Sequence, residues 1–343
     1  MIRIVVDCFG GDRSPAAQID GALAALSAHP DLALVLTGDE PTIRRRLAET
    51  ETPYDPARME IVHAPSVIDP GEKPTDAIRL KRDSSLMTAV RLLSDGEEEI
   101  AGLVSCGSTG AFVAAGLLRV GRLRGVIRPA FCPILPTMNG GIVGICDTGA
   151  NVDVTPAYLV QYAVMASLYL REVYGVENPR VALLNIGVEE EKGDDLRKTA
   201  YPLLRQTPGV HFVGNMESRD LLSGDYDLVV CDGFSGNVLI KSTEGTSLEM
   251  LKKLKKDIYA RPLYKMGALL MRRMFKEEQT YMDYQNYGGS VLLGCSKVMV
   301  KGHGSAKASH VTHCIEQAYR MQLGGLSAKI EQSLENLPQE LQK

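Results

Sequence analysis

An apolar run, Leu228 to Cys231, stops at Asp232-Gly233, and Ser235, Gly236, Asn237 and Lys241 follow close behind. A short apolar run without alternation fits a strand of a parallel sheet covered on both faces. Polar groups just after such a strand sit at the carboxyl edge, where open α/β sheets bind ligands. Glycines there let backbone N–H groups approach an anion, and Asp232, Asn237 and Lys241 add side-chain groups to the same edge. The device recurs. Asp7 is followed by Gly10, Gly11 and Asp12, and Ser105 by Ser108, Thr109 and Gly110, which open a helix-like stretch, Ala111–Leu118. Cys146 is followed by Asp147–Asp153, which includes Asn151, and Leu184 by Asn185 and an acidic run closed by Lys192-Gly193. Gly and hydroxyl residues entering a helix either hold an anion at its N-terminal dipole or simply cap it. An acidic run is usually solvated, but a Lys closing it beside a glycine suits an anion ligand. Gly-x-Gly-x-x-Gly is missing, so a dinucleotide site is poorly supported. Five such exits on one sheet edge indicate a cleft for a phosphate-bearing small molecule.

The elements that would carry these exits alternate. Strands are expected at Arg3–Val6, Leu32–Leu36, Glu60–Val62, Gly102–Ser105, Gly141–Ile145, Arg180–Ile186, His211–Val213, Leu228–Cys231 and Lys297–Val300. Helices are expected between them, among them Ala16–Ala28, Thr42–Glu49, Ser85–Leu93, Pro156–Val173 and Asp195–Gln206. Such repetition implies right-handed crossovers and a mostly parallel α/β sheet flanked by helices. Residues 1–325 read as one α/β catalytic unit, with room for two lobes. Leu326–Lys343 reads as a polar amphipathic helix or a frayed tail.

Composition narrows the function. The chain has 343 residues and a net charge of −4, with no Trp and 6% aromatics, which argues against nucleic acid as a partner. Its seven cysteines form no Cys-x-x-Cys pair, so neither zinc nor a disulfide framework is expected, and a cytoplasmic protein with reduced thiols is. The first residues carry no signal-peptide pattern, and no apolar run is long enough to span a bilayer.

Thr246–Lys276 stands apart. It holds nine basic residues, Lys252, Lys256, Arg272 and Arg273 among them, against Glu249 and Asp257. Leu251, Leu254 and Ile258 follow helical spacing, as do Met266, Leu270 and Met274, and Pro262 between the two series predicts a break. A basic amphipathic hairpin, with Leu254, Ile258, Leu269 and Leu270 as its apolar face, suits an anionic membrane surface or an acidic partner. Its alternative use is packing in a dimer.

Taken in order, these stretches resemble the PlsX family, the bacterial phosphate acyltransferases of phospholipid synthesis. The resemblance is carried by Asp7 through Pro15, Ser105 through Gly110, Arg128-Pro129-Ala130 with Leu135-Pro136-Thr137, and Asp147 through Asp153. It continues through Leu184 to Gly193, Phe212 to Asp220, Cys231 to Gly245, Tyr287-Gly288-Gly289 and His303-Gly304-Ser305. Cys8-Phe9, Arg13 and Ser108 depart from the family's usual residues. The resemblance implies transfer of a long-chain acyl group from acyl carrier protein to inorganic phosphate, with no cofactor. The acyl phosphate would feed a membrane glycerol-3-phosphate acyltransferase of the PlsY type. It also implies a homodimer at the inner face of the membrane, with a fold similar to phosphotransacetylase and to isocitrate and isopropylmalate dehydrogenases.

Phosphate oxygen attacking a thioester needs no enzyme nucleophile, only donors that hold an anion against a developing oxyanion. On that chemistry Lys192 and Lys241 fall to phosphate or oxyanion, and Asn185, Asn151 and Asn237 to orientation. Asp232 positions or deprotonates phosphate, and His303 donates a proton or serves structurally. Arg128 binds phosphate or makes an ion pair, and Gly10, Gly11, Asp12, Ser108, Thr109, Gly110 and Asp153 complete the binding set. The rivals are a phosphotransacetylase-type enzyme using short-chain acyl-coenzyme A, a non-catalytic membrane scaffold for lipid enzymes, and a metal-dependent hydroxyacid dehydrogenase.

Overall fold

The computed structural model describes residues 1–95 and 100–342. The strands are β1 (Ile2–Asp7), β2 (Leu32–Gly38), β3 (Met59–His63), β4 (Ile100–Ser105), β5 (Ala130–Cys132) and β6 (Ile134–Pro136). They continue with β7 (Ile142–Cys146), β8 (Arg180–Asn185), β9 (His211–Glu217), β10 (Leu228–Val230), β11 (Ser290–Leu293) and β12 (Val298–Lys301). The helices are α1 (Ala16–Ala28), α2 (Glu40–Ala48), α3 (Pro74–Leu80), α4 (Ser85–Asp95), α5 (Thr109–Ala115) and α6 (Pro156–Tyr174). They end with α7 (Asp195–Gln206), α8 (Gly233–Ala260), α9 (Pro262–Leu270), α10 (Arg272–Tyr281), α11 (Ala308–Leu323) and α12 (Leu326–Glu335).

The strands build two sheets, not one. Seven run in the order β3-β2-β1-β4-β12-β11-β5, and five in the order β6-β7-β10-β8-β9. Pairing is parallel except at β11 and at β6, which lie antiparallel to their neighbours. The mostly parallel α/β expectation therefore stands, but the five polar exits do not share an edge. Those after β1 and β4 belong to the larger sheet, and those after β7, β8 and β10 to the smaller.

Helix α6 is buried over most of its length, from Leu159 to Leu170, as a helix packed on several sides must be. Its Gln161 is fully buried and spends its amide on Gly125 O (2.9 Å) and Leu341 O (2.8 Å), while its oxygen accepts from Ile127 N (2.9 Å). The C-terminal segment is thus tied down rather than frayed, and Leu326, Ile330, Leu334, Leu337 and Leu341 are buried. Helices α1 and α11 cross at Gly21, where an added Cβ would lie 2.6 Å from Ala308 O.

Asn237 through Lys241 is helix, inside α8, which runs without interruption from Asp232 into the basic hairpin. The hairpin accordingly starts well before residue 246 and contains α8, α9 and α10. The break expected at Pro262 falls at Arg261, in extended conformation, and a second follows at Met271.

A cation-lined cleft between the sheets

The loops following the strands pack backbone against backbone. Gly10 has no room for a side chain, since a Cβ would stand 2.5 Å from Gly107 N. Gly11 adopts φ +104°, a region that favours glycine, and a Cβ there would stand 2.8 Å from Gly304 O. Asp12 N donates to Gly304 O (2.7 Å). The loops after β1, β4 and β12 are thereby locked together. Beneath them Asp7 is fully buried and accepts from Ser105 Oγ (2.7 Å) and Phe9 N (3.2 Å). Burial pushes its carboxyl above the usual range, and these donors oppose that.

In the smaller sheet, buried Asp147 organises its own loop, accepting from Phe131 N (2.9 Å), Ala150 N (3.1 Å) and Asn151 N (2.7 Å). Asp232 caps α8 by accepting from Ser235 N (2.8 Å), and its other oxygen pairs with Arg197 Nη2 (2.6 Å). Burial alone would raise the Asp232 carboxyl, but donation from Ser235 and Arg197 outweighs it and holds the group below its ordinary value. Arg197 also donates to Leu184 O (2.9 Å), so the ends of β8 and β10 are joined through one guanidinium.

Where the two sheets meet, a cavity of about 240 Å³ opens. Thr109 reaches it from the larger sheet's side and Thr148 from the smaller. Helix α8 contributes Asn237, Ile240, Lys241 and Glu244, whose spacing puts them on one face. The end of β12 contributes Lys301, Gly302, His303 and Gly304, and Tyr284 and Gly288–Ser290 close the wall. His303 Nδ1 lies 2.9 Å from Ser305 Oγ and accepts from Ser305 N (3.2 Å), so the neutral ring carries its proton on Nε2. Burial, then the nearby Lys301 and Lys241 ammonium groups, hold its pKa below the ordinary value. Its backbone N–H donates to His310 Nε2 (3.0 Å), and His310 Nδ1 faces Gln285 O at 2.8 Å. His310 is therefore a neutral Nδ1–H tautomer that fixes the His303 loop.

Of the expected residues, Thr109, Asn237, Lys241 and His303 line this cavity together. Others are spent elsewhere. Ser108 caps α5 through Ala111 N (3.4 Å), and Asn151 donates to Pro129 O (2.7 Å). Asn185 donates to Lys192 O (3.0 Å), clamping the turn that holds Lys192. Lys192, Arg128, Asp153 and Asp12 are exposed and lie outside the cavity wall, as do Gly10, Gly11 and Gly110. Gly110 packs instead against Pro74, whose Cγ would lie 2.5 Å from an added Cβ. Arg128 makes no ion pair among the described residues. Lys301 is the lining cation that the sequence reading omitted, and Thr148, Glu244, Tyr284 and His310 were missed as well. That reading ended the strand at Val300, one residue short of the ammonium.

On the hairpin, Leu254, Leu269 and Leu270 are exposed, Leu270 by 85%, and Ile258 is half-buried. Lys252, Lys256, Arg272 and Arg273 are exposed, with Lys252 paired to Glu249 (2.7 Å) and Arg273 to Glu277 (2.7 Å). Among the described residues, no helix is long and apolar enough to cross a membrane.

Comparison with known proteins agrees with this architecture. A phosphotransacetylase from Streptococcus pyogenes superposes with a TM-score of 0.60 at 16% identity, covering 94% of each chain. A branched-chain phosphotransacylase from Enterococcus faecalis does so with a TM-score of 0.54 at 14% identity, over 94% of this chain and 100% of its own. These likenesses establish the fold. In sequence, the phosphate acyltransferase of Halalkalibacterium halodurans is 43% identical over 320 residues, covering 93% of either chain. That of Bacillus subtilis is 40% identical over 333 residues, covering 97% of this chain and 98% of its own. With residues 2–329 also matched by the family described as Fatty acid synthesis protein, this chain belongs to that family.

Proposed function

We propose that this chain transfers a long-chain acyl group from acyl carrier protein to inorganic phosphate, and that the cleft between the sheets is where it does so. The observation that carries this reading is the chemistry of the cleft wall. It offers two lysines, two neutral histidines, two threonines, a serine, a tyrosine and an asparagine beside one glutamate, and no thiol. All seven cysteines are buried, and burial pushes the Cys106 thiol up to about 11 and raises that of Cys231 well above its ordinary value. A thiolate nucleophile is thus disfavoured, and phosphate attacks the thioester directly.

A phosphate oxygen forms the new bond to the carbonyl carbon, the carbonyl electron pair moves onto oxygen, and the carbon–sulfur bond then breaks as the carbonyl re-forms. Monohydrogen phosphate brings the one proton that the departing thiolate needs, so acyl phosphate and free thiol balance. Lys241 and Asn237 hold the phosphate or the developing oxyanion, where a preorganised donor is most effective. His303, with its proton on Nε2, donates a hydrogen bond to the same anion, while the phosphate's own proton passes to sulfur.

Exposed leucines beside arginines and lysines on α8–α10 support docking of the hairpin on anionic lipid. This reading makes the protein a homodimer at the inner membrane face, delivering acyl phosphate to a membrane glycerol-3-phosphate acyltransferase. The test is incubation of purified protein with long-chain acyl carrier protein and phosphate, followed by hydroxylamine trapping. Phosphate-dependent hydroxamate is expected. Product from short-chain acyl-coenzyme A alone would move the chain to phosphotransacetylase chemistry, and no product from either donor would refute the reading.

A further inference from the structure

Lys301 is only 8% exposed, yet it lines the cleft. Its ammonium donates to the carbonyl of Gly302 and forms no ion pair among the described residues. Asp7, the acid whose charge acts on it, is already engaged by Ser105 and Phe9. The thiols of Cys106 and Cys314 beside it are neutral, since burial raises both. A cation buried without a counter-charge is costly, and proteins seldom retain one without use. Burial accordingly lowers the pKa of Lys301. The same cavity holds Lys241, which stands on α8, and the charges of both lysines act on His303.

We infer that Lys301 is a phosphate-binding residue whose missing counter-ion is the phosphate dianion, held between Lys301 on β12 and Lys241 on α8. The two lysines bring two positive charges to a cavity whose one acid, Glu244, has its pKa raised by burial, and the hydroxyls of Thr109 and Thr148 with the His303 Nε2–H supply further donors around a tetrahedral anion. The inference rests on the proposed acyl transfer for the identity of the anion. The phosphodiester of a carrier's prosthetic arm would bring a single negative charge, so the cleft is assigned to free phosphate.

The experiment compares wild-type protein with Lys301→Met, which keeps the stem and removes the charge. Without phosphate, Lys301→Met should melt at or above the wild-type temperature, because an unpaired buried charge has gone. Adding inorganic phosphate should raise the melting temperature of wild type and leave the variant unmoved. The KM for phosphate should rise by about tenfold or more, with the KM for the acyl donor unchanged. A variant that unfolds or melts lower without phosphate would make Lys301 a structural residue and overturn the inference. So would a retained phosphate shift, or a rise in the KM of the acyl donor alone. If wild type shows a Lys301-dependent phosphate shift but makes no acyl phosphate, the acyl-transfer reading fails and the phosphate site stands.

Discussion

Helix α8 passes through two environments. From Gly233 to Leu239 it is wedged against the smaller sheet, and Gly233, Gly236 and Leu239 are buried. From Gly245 to Ala260 no residue is buried, and Leu248, Met250, Leu251, Leu254 and Tyr259 are at least 47% exposed. One end is specified by contacts already present in the chain. The other displays apolar and basic groups that the chain leaves uncovered. In a stable monomer, apolar exposure of this kind usually marks a surface for another molecule.

The sharpest way to break the contrast is at Gly236. An added Cβ would sit 1.9 Å from Asp147 O, which is backbone and cannot turn aside. Gly236→Ala should cost about 3 kcal/mol of stability in urea titration and dismantle the cleft, whereas Gly245→Ala, with nothing within 4 Å, should not destabilise the protein. Next in size is Lys241→Ala, which removes an exposed charge from the cleft rim. Turnover should fall about a hundredfold while the urea midpoint holds. Near-normal turnover would leave the cleft end of α8 purely structural.

A smaller effect tests the support beneath His303. His310 is held neutral in the fold, chiefly by burial, with a pKa depressed to about 4. Because the unfolded chain binds the proton more readily, stability from this group is full above about pH 6.5 and is lost as pH falls toward 4. His310→Gln should flatten the melting-temperature profile over that window, and an unaltered profile would contradict the assignment. The smallest change in stability is expected at the hairpin. Leu254→Glu with Ile258→Glu should shift stability by only about 0.5 kcal/mol, yet should release the protein from anionic vesicles in flotation. A monomeric or unfolded variant would assign this face to a dimer core instead.

The sequence revealed the strand exits well, because an apolar run ending in Gly and Asp is a local signal. It could not say which sheet each strand joins. An apolar run carries no record of its neighbours, so exits from two sheets read as one edge. Short β5, β6 and β11, of three or four residues each, fell below any periodicity. The glycines at 233, 236 and 245 look like helix breakers, and only packing against Asp147 and Asn151 shows why the first two are required inside a helix. Lys192 follows a strand and Lys301 ends one. One is exposed in a turn clamped by Asn185 and the other is buried in the cleft, a difference set by tertiary packing alone.

The continuity of α8 also fixes a distance. From Lys241 to Ala260 an unbroken helix rises about 28 Å, close to the diameter of a small domain. Whatever surface receives the tip of the hairpin is therefore held at that stand-off from the cleft, and a helix without a hinge keeps the spacing constant. Under the proposed docking, that spacing sets the size of what can reach the cleft beside the helix.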